Sequence, residues 1–453
     1  MLLPEDFQYF KDSLARSDYS ALRSILAEVN DVDIAELLED LPIAQALLVF
    51  RMLNKEKALY VFSHFDDEMQ QQIITAITDR EVGAIINDLW VDDAVDMLEE
   101  MPAALVDKVL KNSLPEIRDR INQYFNYPEY SAGRIMTAGY IDFKKDITVA
   151  EALRRLKHVD RSVETIYTCF ITNETRILEG EISLKDLLLA RDDQPVSELL
   201  SSEPVYTTTI TDQEKAAQLI AKYHLISLPV VDMEKRLVGI ITVDDAMDVL
   251  VEEATEDFEK MAAIRPSEAP YVKTSAFKLA KNRFPWLFIS LLTNLVISFV
   301  VDFYAPVYVA MPILVSFMPM LMGTGGNAGS QTSTLIIRGM AIGEITQGDF
   351  WRVQWKELRV CLLLSITLAA ISFARISIID PENILLALVV SVSLICGMLV
   401  GKTTGAALPL LAKKVRVDPA LMASPIITTI VDVAAVAVFF SLARLIFGLP
   451  WEV

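Results

Sequence analysis

The chain has 453 residues, 53% of them hydrophobic, 23% charged, with a formal net charge of −20. Residues 1–283 carry 52 acids against 31 bases, whereas residues 284–453 carry nine acids and ten bases, so an acidic half precedes a nearly uncharged apolar half. A surface this acidic excludes nucleic-acid binding, which needs basic side chains to meet phosphates, and three scattered cysteines (Cys169, Cys361, Cys396) exclude a disulfide framework. No basic, apolar leader is expected, because Glu5 and Asp6 already interrupt the first ten residues.

Residues 1–128 read as an all-α superhelical N-terminal domain. Apolar residues recur at three and four in Ile34-Ala-Glu-Leu37-Leu38-Glu-Asp-Leu41 and in Val95-Asp-Met97-Leu98-Glu-Glu-Met101. The stretches from Ala35 to Pro42 and from Val95 to Pro102 are near copies 60 residues apart, with a weaker echo near Phe65, the mark of a helical repeat.

Residues 129–250 change character to short β-rich runs between helices. Gly180-Glu-Ile-Ser-Leu-Lys-Asp186 aligns with Gly239-Ile-Ile-Thr-Val-Asp-Asp245, 59 residues on. With His224-Leu-Ile-Ser-Leu-Pro229-Val-Val-Asp232, this duplication resembles a tandem pair of cystathionine-β-synthase-type (CBS) modules, an α/β fold. The second copy fits better than the first. The resemblance implies regulation and adenine-nucleotide binding, with Asp186 the expected contact to an ATP ribose.

Residues 244–283 form an acidic connecting helix. Asp245, Asp248, Glu252, Glu256 and Glu259 are spaced three or four apart on one face, and Asp244, Glu253 and Asp257 widen the stripe. A second stripe, Asp92, Asp93, Asp96, Glu99 and Glu100, lies in the helical domain. Two such faces repel unless divalent cations sit between them. Mg2+ suits carboxylates and retained waters, and three histidines with scattered cysteines offer no soft-metal cluster. Each stripe also reads as an ordinary solvated acidic surface.

Residues 284–453 hold the apolar runs: Phe284 to Val301, Phe303 to Ile337, Val360 to Ala374, Asn383 to Gly401 and Pro419 to Ala443. The second, if one helix, would rise about 52 Å, too long for a single crossing. It is read either as a kinked helix that projects past the bilayer or as a hairpin. The positive-inside rule decides for five crossings, with the acidic half in the cytosol and the C-terminus outside. The inner loops then carry Lys273, Lys278, Lys281, Arg283, Arg338, Arg352, Lys356, Arg359, Lys413, Lys414 and Arg416.

Asp432 is read as the one ionisable residue in mid-span, about 13 residues into the last run and near the midplane. An ionised carboxylate there costs about 2.5–3.5 kcal/mol and needs a partner. It reads either as a protonated packing residue or as a cation site. Two copies across the axis of a homodimer would suffice for a divalent ion. Gly323-Thr-Gly-Gly-Asn327-Ala-Gly-Ser-Gln331 supplies small and polar residues at membrane depth, suited to close helix packing or to a pore wall. Gly397-Met-Leu-Val-Gly401-Lys402-Thr403 looks like a phosphate loop, but it is one residue short and ends an apolar run.

This order of parts resembles the MgtE-type magnesium transporters over essentially the whole chain. Its most specific motifs are Val243-Asp-Asp-Ala-Met-Asp-Val-Leu250 with Glu253-Ala-Thr-Glu-Asp257, the Gly323–Gln331 cluster, Val417-Asp-Pro-Ala420 and Thr428-Thr-Ile-Val-Asp432. The resemblance implies a homodimeric Mg2+ channel in a bacterial-type inner membrane, admitting Mg2+ to the cytosol and shut by cytosolic Mg2+. It places the conducted ion on Asp432, with Asn327 in the pore wall and Asp418 at the cytoplasmic mouth. The expected regulatory ligands are Asp92, Asp93, Asp96, Glu99, Asp244, Asp245, Asp248, Glu253, Glu256 and Asp257. Rival readings are a carrier coupling a divalent cation to H+ or Na+, and a membrane-bound Mg2+ sensor that does not transport. No enzyme is expected, since no nucleophile–base pair emerges.

Overall fold

Ten short helices form the first part of the chain: α1 (Pro4–Ala15), α2 (Tyr19–Glu28), α3 (Asp31–Glu39), α4 (Ile43–Phe50), α5 (Lys55–Ser63), α6 (Asp67–Ala76), α7 (Asp79–Ile86), α8 (Val91–Glu99), α9 (Ala103–Asn112) and α10 (Pro115–Phe125). Short polar residues start many of them: Asp18, Asn30, Asn54, Asp66 and Thr78 each accept a first-turn N–H, satisfying a donor the helix itself cannot. Pro42 and Pro102 cannot extend α3 and α8 and instead begin α4 and α9. The 60-residue copy noted in the sequence is thus the triplet α3–α5 repeated as α8–α10, with α6 and α7 between. Phe10, Leu22, Ile34, Leu38, Phe62, Ile73 and Ile86 are fully buried between the turns.

The computed structural model describes residues 4–159, 163–200, 203–267, 271–272, 274–415, 417–422 and 424–449. Lys273 and Arg416, counted above among inner-loop bases, lie outside the described residues. The chain divides into two compact units, residues 1–250 and 251–453.

The rest of the first unit is a duplicated module. After α11 (Ala132–Ile135) come β1 (Asp142–Phe143), α12 (Val149–Leu156), β2 (Thr168–Thr172), β3 (Leu178–Ser183) and α13 (Leu184–Leu189). Then follow β4 (Thr207–Thr208), α14 (Gln213–Tyr223), β5 (Ser227–Val231), β6 (Leu237–Thr242) and α15 (Val243–Met261). The sheets are β1-β2-β3 and β4-β5-β6, each with one parallel and one antiparallel pairing. Their irregularities fall at equivalent places, Ile171/Thr172 and Val230/Val231. The copies are stitched at matching positions: Leu178 N–H donates to Lys235 O, and Leu237 N–H donates to Arg176 O. This is a CBS pair, as the 59-residue offset foretells.

In the second unit the long helices are α16 (Ala276–Phe303), α18 (Met318–Ala341), α19 (Phe350–Ile379), α20 (Ile384–Lys414) and α21 (Ser424–Phe447), with a short α17 (Ala305–Ala310). Four of the long helices, all but α18, are both long and apolar enough to cross a membrane. With 24 residues, α18 rises about 36 Å, enough to span. It is less apolar because it carries the Gly-Thr-Asn-Ser-Gln cluster.

Four details differ from the sequence reading. The connecting helix expected over residues 244–283 ends at Met261, and α16 begins separately at Ala276. The run from Phe303 to Ile337 is neither one kinked helix nor a hairpin: α17 and a 3-10 turn (Pro312–Phe317) precede a single long helix. Asp432 is the ninth residue of α21, about a third of the way along it, because Pro419–Met422 forms a separate 3-10 turn. Asp432 is also not alone. The helices α19 and α20 run past their apolar segments, so Glu357 and Lys402 lie within them.

Candidate functional site

Two helix starts aim acids at one region of the first unit. Asp92 and Asp93 lie in the first turn of α8, and Asp244 and Asp245 in the first turn of α15. The positive end of a helix dipole tolerates acids there, and the fold then brings the two ends together. Glu164, from the segment before β2, joins them. Its backbone N–H donates to Gly139 O at 2.9 Å, and nearby Thr137 is pinned to β6 by paired bonds with Ile240 of 2.8 and 2.9 Å.

Burial without a counter-charge pushes these carboxyls up. Asp92 is raised well above the usual range, first by burial and then by Asp93, Glu164 and Asp245. Asp93 rises to about 7 through burial, Asp245 and Asp96. Glu164 also reaches about 7 through burial, opposed by a Thr137 hydrogen bond and reinforced by Asp245 and Asp93. Asp245 reaches about 6, again chiefly through burial. Asp248 is raised by burial and Asp244, while His64 works the other way. Asp92 Oδ1 and Glu164 Oε2 are buried with no hydrogen-bond partner among the described residues. Buried acceptors of this kind call for a proton or a cation.

A neighbouring group forms where α6 meets α8. Asp96 is solvent-exposed, yet it is raised by the surrounding protein and by Asp67 and Glu100. Asp67 is raised by burial, Glu100 and Asp66. Glu99, expected among the ligands, instead ion-pairs with Arg134. Among the described residues no three His, Cys, Asp or Glu side chains converge at metal-binding distances. The structure therefore gathers repelling acids rather than a closed metal site.

In the second unit the later part of α15 meets the turn before α21. Lys260 Nζ lies 2.7 Å from both Glu256 Oε1 and Asp418 Oδ2. Asp257 is raised by burial and Asp418, against Lys260. Asp418 Oδ1 also accepts the Ala420 N–H at 2.9 Å, starting the 3-10 turn. Glu259 accepts the Ser267 N–H at 2.9 Å, and Glu253 is partly buried on the same helix.

Deeper in the second unit, α18 packs on α20 and α21 through glycines. A Cβ on Gly326 would lie 3.8 Å from Asp432 Oδ1 and 3.4 Å from Thr428 Cγ2, so Gly326 faces the carboxylate. Asp432 is half-buried and has no hydrogen-bond or ion-pair partner among the described residues. Asn327 and Gln331, one turn apart, are both exposed on the single chain. Asp186, at the start of α13, is exposed and held by Ser183, whose hydroxyl donates to Asp186 Oδ2 at 2.6 Å. Thr242 and Asp245 repeat that arrangement in the second copy.

The sequence reading missed Glu164, Asp66 and Asp67, Lys260, and the pair Glu357 and Lys402. Only Asp66 and Asp67 carried a signal, as part of the halfway repeat echo. Glu164 sits in irregular backbone, and Lys260 stands at the ordinary i,i+4 spacing from Glu256, which by itself marks no site.

Acid-rich modules joined to apolar helices that carry a carboxylate without a partner among the described residues define a multi-pass membrane protein that handles cations. Family models match residues 318–442 (a divalent cation transporter), 29–130 (an MgtE intracellular N domain) and 196–252 (a CBS domain). The chain is 37% identical to the magnesium transporter MgtE of Thermus thermophilus over 96% of its own length and 97% of that protein's. It is 30% identical to the Bacillus subtilis magnesium transporter MgtE over 93% of each. The chain belongs to the MgtE family of magnesium transporters. Among solved structures it resembles the soluble part of a magnesium transporter (TM-score 0.52, 25% identity, 55% of this chain and 98% of that one). It also resembles the cytosolic domain of the Mg2+ channel MgtE in complex with ATP (TM-score 0.50, 35% identity, 53% and 98%).

Proposed function

We propose that this chain forms a homodimeric channel that admits Mg2+ to the cytosol down its electrochemical gradient and closes when cytosolic Mg2+ is high. The observation that carries the reading is the partnerless Asp432 beside Gly326, next to the open polar face of Asn327 and Gln331. A second copy across a twofold axis supplies the second carboxylate a divalent ion needs. Small residues on α18 leave room for the ion's water shell. A membrane potential of 100 mV is worth about 4.6 kcal/mol for a divalent ion, enough to drive uptake without ATP hydrolysis. The positive-inside rule puts the acidic half in the cytosol and the C-terminus outside.

Gating resides in the acids. Asp92, Asp93, Glu164, Asp244, Asp245 and Asp248 repel one another when bare, and Mg2+ with its waters turns that repulsion into a bridge. Asp96 with Asp67 and Glu100 forms a neighbouring group. On the membrane side Glu253, Glu256 and Asp257 of α15, with Asp418, form the closing contact. ATP binds the CBS pair as a regulatory ligand, with Asp186 on the ribose. That role is supported by the ATP complex of the similar cytosolic domain.

The test is Mg2+ uptake into liposomes holding the full-length protein, with internal Mg2+ varied. Wild type should shut as internal Mg2+ rises, and a Glu253/Glu256/Asp257 triple alanine variant should stay open. Uptake that tracks an imposed pH or Na+ gradient would mean coupled exchange instead.

A further inference from the structure

The apolar unit contains a charged group that ion conduction as described does not use. Lys402 on α20 is only 5% exposed. Its Nζ donates to Glu357 Oε2 on α19 at 2.9 Å and to Thr332 Oγ1 on α18 at 3.0 Å. The Thr332 hydroxyl in turn donates to the same Glu357 oxygen at 2.9 Å. Three helices thus meet in a closed triangle of hydrogen bonds, neutral in sum. Gln354 Nε2 adds a bond from α19 to Thr403 O on α20 at 3.1 Å. The Lys402 and Thr403 of the incomplete phosphate loop therefore bind helices, not a nucleotide.

The position of the triangle gives it a task. One turn nearer Asn327, α18 meets α20 backbone to backbone. A Cβ on Gly401 would strike the carbonyl of Gly325, and one on Gly405 the carbonyl of Gly329. Gly329 is also wedged against α21: its own Cβ would be 2.7 Å from Ile427 Cγ2 as well as 2.9 Å from Gly401 O. The α18–α20 seam holds its two backbones close but, being glycine on glycine, has few protruding side chains of its own to stop sliding. A slip of one turn would carry Asn327 and Gly326 about 5.4 Å along Asp432. The buried ion pair fixes α19 against α20 in one geometry, and the two hydrogen bonds of Thr332 tie α18 to that fixed point, which sets its register.

We propose that Lys402, Glu357 and Thr332 act as a register key for α18, holding Asn327 and Gly326 opposite Asp432 for ion passage. They are positioning residues and touch no ion themselves. The inference rests on the pore reading given above.

The experiment measures initial Mg2+ uptake per folded protein against external Mg2+ in liposomes, for Lys402→Met, Glu357→Gln, Thr332→Val and the exchange Lys402→Glu/Glu357→Lys. Thermal midpoints in detergent are recorded for each. The expected result is at least a tenfold loss of maximal uptake in K402M and E357Q, with the half-saturating Mg2+ concentration moved several-fold. The exchange should recover most of the uptake. If neither K402M nor E357Q can be obtained folded, T332V decides: a several-fold shift in half-saturation supports the key, and an unchanged value overturns it. Folded K402M that conducts within twofold of wild type, or loses uptake only in proportion to its folded fraction, also overturns it. Asp432→Ala in the same series separates the two claims. Retained uptake there defeats the pore reading, whereas lost uptake there with normal K402M defeats only the key.

Discussion

Replacing Asp93 by Asn should stabilise the acidic N-terminal part of the chain when Mg2+ is absent, although it removes a charged group from a helix start. Asp93 has its carboxyl raised from 3.8 to about 7 by burial, Asp245 and Asp96. A carboxyl raised in this way contributes stability that is fully present below its unfolded value and is lost as pH climbs through about 7. At pH 8 the wild type bears the whole penalty. The difference corresponds to about 4 kcal/mol, at about 1.4 kcal/mol per tenfold change. Asp245 and Glu164 share that repulsion, so a single substitution should release about 2–4 kcal/mol. For a fragment of this size that is roughly 5–10 °C in Tm. The assay is thermal unfolding of a soluble fragment ending at Ser267, wild type against Asp93→Asn, in chelator at pH 8 and at pH 4.5. The gain should appear at pH 8 and shrink at pH 4.5, where the wild-type carboxyl is already protonated. Saturating Mg2+ should close the gap from the other side, since a ligand at a hundred times its Kd adds about 2.7 kcal/mol to the state that binds it. A variant that is less stable at pH 8, or one that gains as much from Mg2+ as wild type, would refute the idea that these acids are strained together and relieved by the ion.

Lys260→Met removes the cation between Glu256 and Asp418. For a partly buried pair worth about 1 kcal/mol, the internal Mg2+ that half-closes the protein should shift about fivefold, read by uptake into liposomes of graded internal Mg2+. Asp186→Ala should weaken ATP binding to the fragment ending at Ser267 about tenfold or more while leaving its Mg2+-dependent Tm shift intact, as measured by calorimetry. Gly405→Ala forces the α18–α20 seam apart. It should cost about 1–3 kcal/mol of stability and lower the thermal midpoint in detergent, whereas Gly343→Ala, where nothing lies within 4 Å but φ is +75°, should cost only backbone strain.

Much of this arrangement is legible in the amino-acid order because it rests on local rules. The 60-residue copy around Pro42 and Pro102 appears as two helix triplets, since each of these prolines stands between one short helix and the start of the next. The paired Ser183/Asp186 and Thr242/Asp245 starts follow from hydroxyl and carboxylate capping. Asn327 and Gln331 share a face because they are four apart on a helix. What stayed hidden depends on tertiary proximity. Glu164 has no periodicity to announce it and is raised only because the fold buries it beside Asp93 and Asp245. The depth of Asp432 was misjudged because hydropathy does not distinguish the 3-10 turn at Pro419 from α21. Glu357 and Lys402 lie just outside the apolar runs in the sequence, and only the packing of α18, α19 and α20 turns them into one buried pair.

The central claim is that Mg2+ passes the membrane at Asp432. Mg2+ uptake through purified full-length protein in liposomes, with internal Mg2+ low, tests it most directly. The account predicts rapid uptake by wild type and background uptake by folded Asp432→Ala. Uptake by that variant at a wild-type rate would contradict it.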